Sequence, residues 1–269
     1  MRLTHRKDVS MKKAIVAVLV AILLTSGVLA GCVVGAVVGS GTLDTQEFNF
    51  SGFNRVEVGH AFEVEIIQSD SYSVSITADD NLFEYIQVSK AGETLKIGTQ
   101  AIIGPISGTL RAKITMPELH ALDLSGATRG TIEGFSSSED FDLDLSGASS
   151  LDISDMAAGD IKFELSGASK VTGDTTSGDA DFDVSGASTV QLQGSVSDIV
   201  IDASGPSQLG LDDFLAANAT IKLSGASRAT VNLDGRLDVD LSGASKLDYI
   251  GEPTMGNIEI SGGSTLSKK

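Results

Sequence analysis

The dipeptide Ser-Gly recurs at Ser125, Ser146, Ser166, Ser185, Ser204, Ser224, Ser242 and Ser261, at intervals of 18 to 21 residues. Most copies sit in a pentad such as Leu145-Ser146-Gly147-Ala148-Ser149. A fixed period near 20 marks a solenoid, in which each repeat is one coil that cannot bury its apolar face alone. Few other folds tolerate such a pattern.

The flanking residues say what kind of coil this is. In Phe141-Asp142-Leu143-Asp144-Leu145 apolar residues alternate with aspartates, the period of a half-buried strand. Carried through the pentad, the same parity turns Gly147 and Ser149 inward, followed by Leu151 and Ile153. Each coil is then strand, bend, strand, with glycine permitting the bend. Thr128, Ser149, Ser169, Ser188, Ser207, Ser227, Ser245 and Ser264 would form an inward column of hydroxyls bonding one another or nearby backbone, since buried polar groups need partners. No histidine accompanies these serines, and eight copies of a nucleophile serve no chemistry.

The returns between coils, such as residues 155–160, 173–179 and 194–198, are rich in Gly, Ser and Asp, as turns require. One coil reads Gly205-Pro206, and its residues 213–217 are expected to add a helical turn. The fold class is all-β: a parallel β-helix-like solenoid, right-handed by the crossover rule. Eight coils about 4.8 Å apart make a rod of roughly 35–40 Å. An antiparallel sandwich fits less well, because the pentads are single and not paired.

Residues 47–117 lack the pentad but read as strands at 55–58, 62–68, 71–77, 94–98 and 110–115. Asp79-Asp80-Asn81 offers the cap of one short helix. Residues 101–108 contain Gly-Pro and form a turn. With Phe48, Phe50, Phe53, Phe62, Phe83, Tyr72 and Tyr85, this part is expected to build a bulkier core at one end. It is continuous with the repeat solenoid of residues 118–266.

Residues 1–31 have the form of an export signal. Met11-Lys12-Lys13 is a positive n-region and residues 14–24 an apolar h-region. Leu29-Ala30-Gly31-Cys32 resembles the bacterial lipobox, whose cysteine is lipidated, and Cys32 is the chain's single cysteine. Residues 32–46 then form a tether. Residues 33–38 stay apolar, so an uncleaved membrane-spanning helix over 14–38 is the alternative. Both readings place the domain in the cell envelope, outside the cytoplasm. Five of the 19 basic and one of the 36 acidic residues precede Cys32, leaving 14 against 35. That excess repels nucleic acid and anionic surfaces.

The order of motifs is distinctive: lipobox, Gly39-Ser40-Gly41, residues 53–58 and 61–68, Met116-Pro117-Glu118-Leu119, then Ser-Gly-Ala-Ser repeats ending in Tyr249-Ile250-Gly251. It resembles the auto-transporter adhesin "head GIN domain" family of exported bacterial proteins, over roughly residues 47–250. The resemblance implies a β-helix-like cell-surface protein and carries no catalytic or ligand residue.

Two function classes follow. One is a surface-anchored, non-catalytic binding or adhesion module for a surface ligand or envelope polymer. The other is an envelope scaffold, a homo-oligomer through the outward stripe of Ala148, Ala168, Ala187, Ala226 and Ala244. A polysaccharide-active enzyme fits poorly. Asp142, Glu164, Asp183, Asp202 and Asp240 could stack to hold a divalent cation, yet acids repeat in every coil, and Lys162 and Lys222 interrupt them. His60 and His120 stand alone. No cofactor, metal or catalytic residue is assigned, and Cys32 is the one modification site.

Overall fold

The alternating segments form strands with one buried edge. In Phe141–Leu145, Phe141, Leu143 and Leu145 are buried and Asp142 and Asp144 exposed. Strands of successive coils pair in parallel and in register, so like residues stack. Leu122, Leu143, Phe163, Phe182, Ile201, Ile221 and Val239 make one column before the corner. Leu151, Val171, Val190, Leu209, Ala229 and Leu247 make another after it. The computed structural model describes residues 36–100 and 105–269, about seven solenoid turns. Residues 1–31, expected to be an export signal, and Cys32 lie outside the described residues. Among those described, no helix is long and apolar enough to cross a membrane.

The corner is a tight turn whose glycine points outward, which corrects the parity expected for it. Gly147 and Ala148 are exposed and only Ser149 is buried. A turn breaks the period of two, so facing cannot be counted through it. Gly147 has φ +74° while Ala148 stays at negative φ, the pattern of a type II′ turn with glycine first. Two close approaches fix the sequence. Ala148 N–H donates to the Gly126 carbonyl at 2.7 Å, and Ala168, Ala187 and Ala244 repeat this on Gly147, Gly167 and Gly225 at 2.7 Å. A Cβ on Gly147 would lie 2.5 Å from that same Gly126 oxygen.

The buried hydroxyls close corners more than they link coils. Ser149 Oγ donates to the Ser146 carbonyl at 2.9 Å, and Thr128, Ser169, Ser188, Ser227 and Ser245 bond the equivalent carbonyl three residues back at 2.7 to 2.9 Å. Ser245 to Ser264, 3.2 Å, is the one hydroxyl–hydroxyl step of the column among the described residues. At Gly205-Pro206 the pattern lapses. Proline has no N–H for the Gly186 carbonyl, and Ser207 Oγ has no partner among the described residues.

A second ladder, of aspartates, fixes the opposite bend. Asp160 N–H donates to Asp140 Oδ1 at 2.9 Å, Asp179 N–H to Asp160 Oδ1 at 2.7 Å and Asp198 N–H to Asp179 Oδ1 at 3.1 Å. Asp140, Asp160 and Asp179 each stand one residue before a strand and Asp198 lies within Thr189–Ala203, so the return side is anchored coil to coil.

The helical turn expected at 213–217 is absent, because Gln208–Leu223 runs as one strand, paired with Thr189–Ala203 along much of its length. The bulk expected at the N-terminal end is shared along the rod. Phe141, Phe163, Phe182 and Phe214 are fully buried and meet edge to face, with centroids 5.4 to 6.4 Å apart, a favoured aromatic geometry.

The N-terminal strands cap the rod in an order that differs from the chain. Arg55–Val58 and Glu63–Gln68 form a coil whose corner uses His60 and Ala61, both at φ 64°, in place of glycine. The strands that follow, Thr94–Thr99 and Leu110–Met116, pair in parallel on its outer side, and Ala121–Leu124 and Arg129–Glu133 on its inner side. Leu43–Phe48, Ser73–Asp79 and Ile86–Ala91 add antiparallel strands beyond. The short helix is a 3-10 turn, Asp80–Tyr85, without a side-chain cap bond from Asp79. The Asp79 carboxylate instead accepts the Thr109 and Gly41 N–H groups, each at 2.7 Å, and these bonds lower its pKa. Val38–Ile102 and Ile106–Lys269 make up this unit; in the smaller remainder Val37 N–H donates to the Pro105 carbonyl.

The corner geometry predicts the cost of filling it. At Gly186, φ is +69° and a Cβ would sit 2.3 Å from the Gly167 oxygen. Gly186→Val is expected to destabilise the rod by at least about 1–3 kcal/mol. Asp183→Asn, on an exposed site, should stay within about 0.5 kcal/mol. Denaturant melts of both variants measure the contrast.

Candidate functional site

With the interior closed by apolar columns, the surface open to a partner is the outer face of the strands. Register sets its charges. Immediately before the corner, Glu57, Asp123, Asp144, Glu164, Asp183 and Asp202 follow one another in adjacent strands, then Lys222 and Asp240. Six consecutive carboxylates therefore stand about 4.8 Å apart. Lys96 closes the N-terminal end on Glu57 at 2.5 Å, and Lys222 pairs with Asp202 at 3.0 Å. Lys162 reaches sideways to Glu164, also at 2.5 Å. Asp123, Asp144 and Asp183 form no ion pair among the described residues.

Sequence reasoning missed the first steps of this column. Glu57 and Lys96 join it only because residues 55–58 and 94–99 stack beneath the repeats, and chain order gives no sign of that. It also put Asp142 in the column with Glu164. The structure corrects this: Asp142 pairs with Lys162 and then Asp181, two residues nearer the return loop.

The crowding has an electrostatic signature. Burial pushes the Asp123 carboxyl up, Asp144 and Glu57 add to the shift, and Lys96 opposes it. Burial likewise raises Asp144, with Glu164 contributing. Arg236 holds Asp238 below the usual range. Like charges in line make each other harder to ionise.

Beyond the corner the sign changes. Arg129, Ser150, Lys170, Thr189, Gln208, Arg228 and Lys246 stack in that order. The exposed alanines Ala148, Ala168, Ala187, Ala226 and Ala244 run between the acidic and basic-polar columns. The hydroxyls of Thr128, Ser149, Ser169, Ser188, Ser227 and Ser245 lie inside, donating to carbonyls. His60 Nδ1 accepts the Thr99 N–H at 3.3 Å, and His120 Nδ1 faces Asn54 Nδ2 at 3.4 Å. Each histidine is thus engaged in local structure. Among the described residues, no three His, Cys, Asp or Glu side chains are grouped to hold a metal ion.

A stacked parallel solenoid with a repeating charged exterior defines a class of extended, surface-presenting domains. The sequence profile of the family described as "putative auto-transporter adhesin, head GIN domain" matches residues 52–253, and the chain belongs to that family. The fold is shared with solved structures. An adhesin-named protein of Parabacteroides merdae superposes with TM-score 0.82 at 16% identity, covering 87% of this chain and 99% of its own. A Parabacteroides distasonis protein named as lipid binding gives 0.72 at 18%, covering 87% and 100%. An adhesin-named protein of Bacteroides fragilis gives 0.69 at 18%, with the same coverage. No curated protein sequence matches the chain.

The raised carboxyl at Asp144 makes a pH prediction. Its folded pKa lies above the ordinary 3.8, so the folded state carries a charge penalty at neutral pH that the unfolded chain lacks. Asp144→Asn should raise Tm at pH 7. The gain should shrink as pH falls from the raised folded value toward 3.8 and vanish below it. Thermal melts across that range, with and without the substitution, read the difference.

Proposed function

We propose that the protein is an envelope-anchored, non-catalytic binding module that holds a linear partner along its outer face. The observation that carries this reading is the charge column at a constant step, one carboxylate per coil over six coils. A periodic array suits an extended ligand whose cationic groups, or bridging cations, recur along its length, such as an envelope polymer or a basic polypeptide. Catalysis needs the opposite, one convergent set of groups. Adhesin names in the family and among proteins of the same fold support a surface role. The lipid-binding name of one P. distasonis protein is not carried over, because the exposed rows are polar and charged. In this reading a lipid on Cys32 tethers the domain outside the cytoplasm, while Leu43–Phe48, expected as part of the tether, is a strand of the sheet.

The anchor and the binding are tested separately. Cys32→Ser should abolish lipid labelling and release the protein from membranes; full retention, with no lipid on the wild type, would show that residues 14–38 anchor it as a helix. For binding, purified full chain is titrated with polylysine and with isolated cell-wall polymer over a salt series. Replacing Asp144, Glu164 and Asp183 by their amides should weaken binding several-fold, and salt should weaken the wild type likewise. Indifference to both would favour the scaffold reading, and release of sugar fragments an enzyme.

A further inference from the structure

The two ends of the rod are finished differently. At the N-terminal end the outermost strands, Leu43–Phe48 and Ile86–Ala91, are antiparallel additions rich in exposed polar and charged side chains, among them Asp44, Glu47, Gln87 and Lys90. Charged edge strands of this kind resist pairing with another sheet.

The last coil is not finished in this way. Thr254–Ile260 and Thr265–Lys268 pair on one side with Arg236–Leu241 and Lys246–Ile250, and among the described residues no strand is seated on the other side. Met255 and Ile260 continue columns whose previous members, Leu237 and Leu241, are 0% exposed, yet they are 41% and 47% exposed themselves. Ile258 and Leu266 extend the columns of Val239 and Leu247 to the same open end. In every interior corner the glycine carbonyl faces the following coil. Gly263 N–H satisfies Gly243 in this way, and the Gly262 carbonyl accepts no backbone bond among the described residues.

We infer that this open coil docks on the same coil of a second copy, end to end, in a two-fold dimer. A closing layer must offer apolar side chains at the coil's own spacing together with a strand edge. The terminal coil of another chain has both, and a two-fold axis makes such a contact self-complementary. The N-terminal cap offers edge strands whose exposed side chains are mostly charged and polar, which disfavours a head-to-tail fibre. Charge points the same way. The chain as a whole carries −17, but the last coil, residues 251–269, holds Glu252 and Glu259 against Lys268 and Lys269. Flank-to-flank approach of two such rods is repulsive, whereas the ends meet at a neutral surface.

The test is cysteine cross-linking of the full chain in membranes. Thr265→Cys, on the exposed edge, is expected to give an oxidant-dependent dimer above the background from Cys32 in the wild type. Leu43→Cys, at the opposite end and 50% exposed, should remain at background. Adding Ile260→Lys, or Met255→Lys as an independent second change, should remove the Thr265→Cys dimer while protease resistance stays that of the wild type. Absence of a dimer with Thr265→Cys would overturn the inference. So would an equal yield with Leu43→Cys, or a dimer insensitive to both lysines.

Discussion

The rod depends on one contact, the hydrogen bond from the corner N–H to the glycine carbonyl of the coil before it, made at every Ser-Gly corner from Gly147 to Gly262 except that of Pro206. The bond at 2.7 Å between Ala148 and Gly126 brings two turns so close that no side chain fits between them. A Cβ on Gly147 would be 2.5 Å from the bonded oxygen. Glycine in one coil is thus required by the coil beneath it, which needs its own glycine for the same reason. The constraint propagates, and with it the type II′ turn, the buried serine that closes the turn, and the register of the strands on both sides.

Register then decides the exterior without further design. Once Leu143 stacks under Phe163, Asp144 must stack under Glu164, and any charge preference at that position becomes a line. The chain bears the cost, seen in the raised carboxyls of Asp123 and Asp144. Retaining these groups ionised and unpaired is hard to explain by stability alone, which is why the line reads as a surface for a partner.

Residues within a strand were legible in the sequence because period two survives there: Phe141, Leu143 and Leu145 are buried as their spacing demands. Gly147 was not, since two turn residues separate the alternating segments and its facing follows from the turn. The aspartate ladder was hidden in plain view; Asp140, Asp160 and Asp179 each precede a strand by one residue and Asp198 lies within Thr189–Ala203, but they look like ordinary turn formers. The placement of Thr94–Thr99 beneath Arg55–Val58 had no local signal, because stacking order and chain order part company at the cap. Of the candidate site, the repeating carboxylates could be read, but not that the column begins at Glu57 and is closed by Lys96.

A chain written as near copies faces an ambiguity that ordinary folds escape. During folding, a coil could settle one repeat too early or too late, and most columns would still match. Pro206 is the exception. Wherever its turn lands, the carbonyl beneath loses a donor, and in its own place the turns stand further apart: a Cβ on Gly205 would lie 2.9 Å from the Gly186 oxygen, against 2.5, 2.4 and 2.3 Å for Gly147, Gly167 and Gly186 on the turns beneath them. The proline acts as a phase mark, a single irregular tooth that lets an otherwise periodic molecule find its place along its own length.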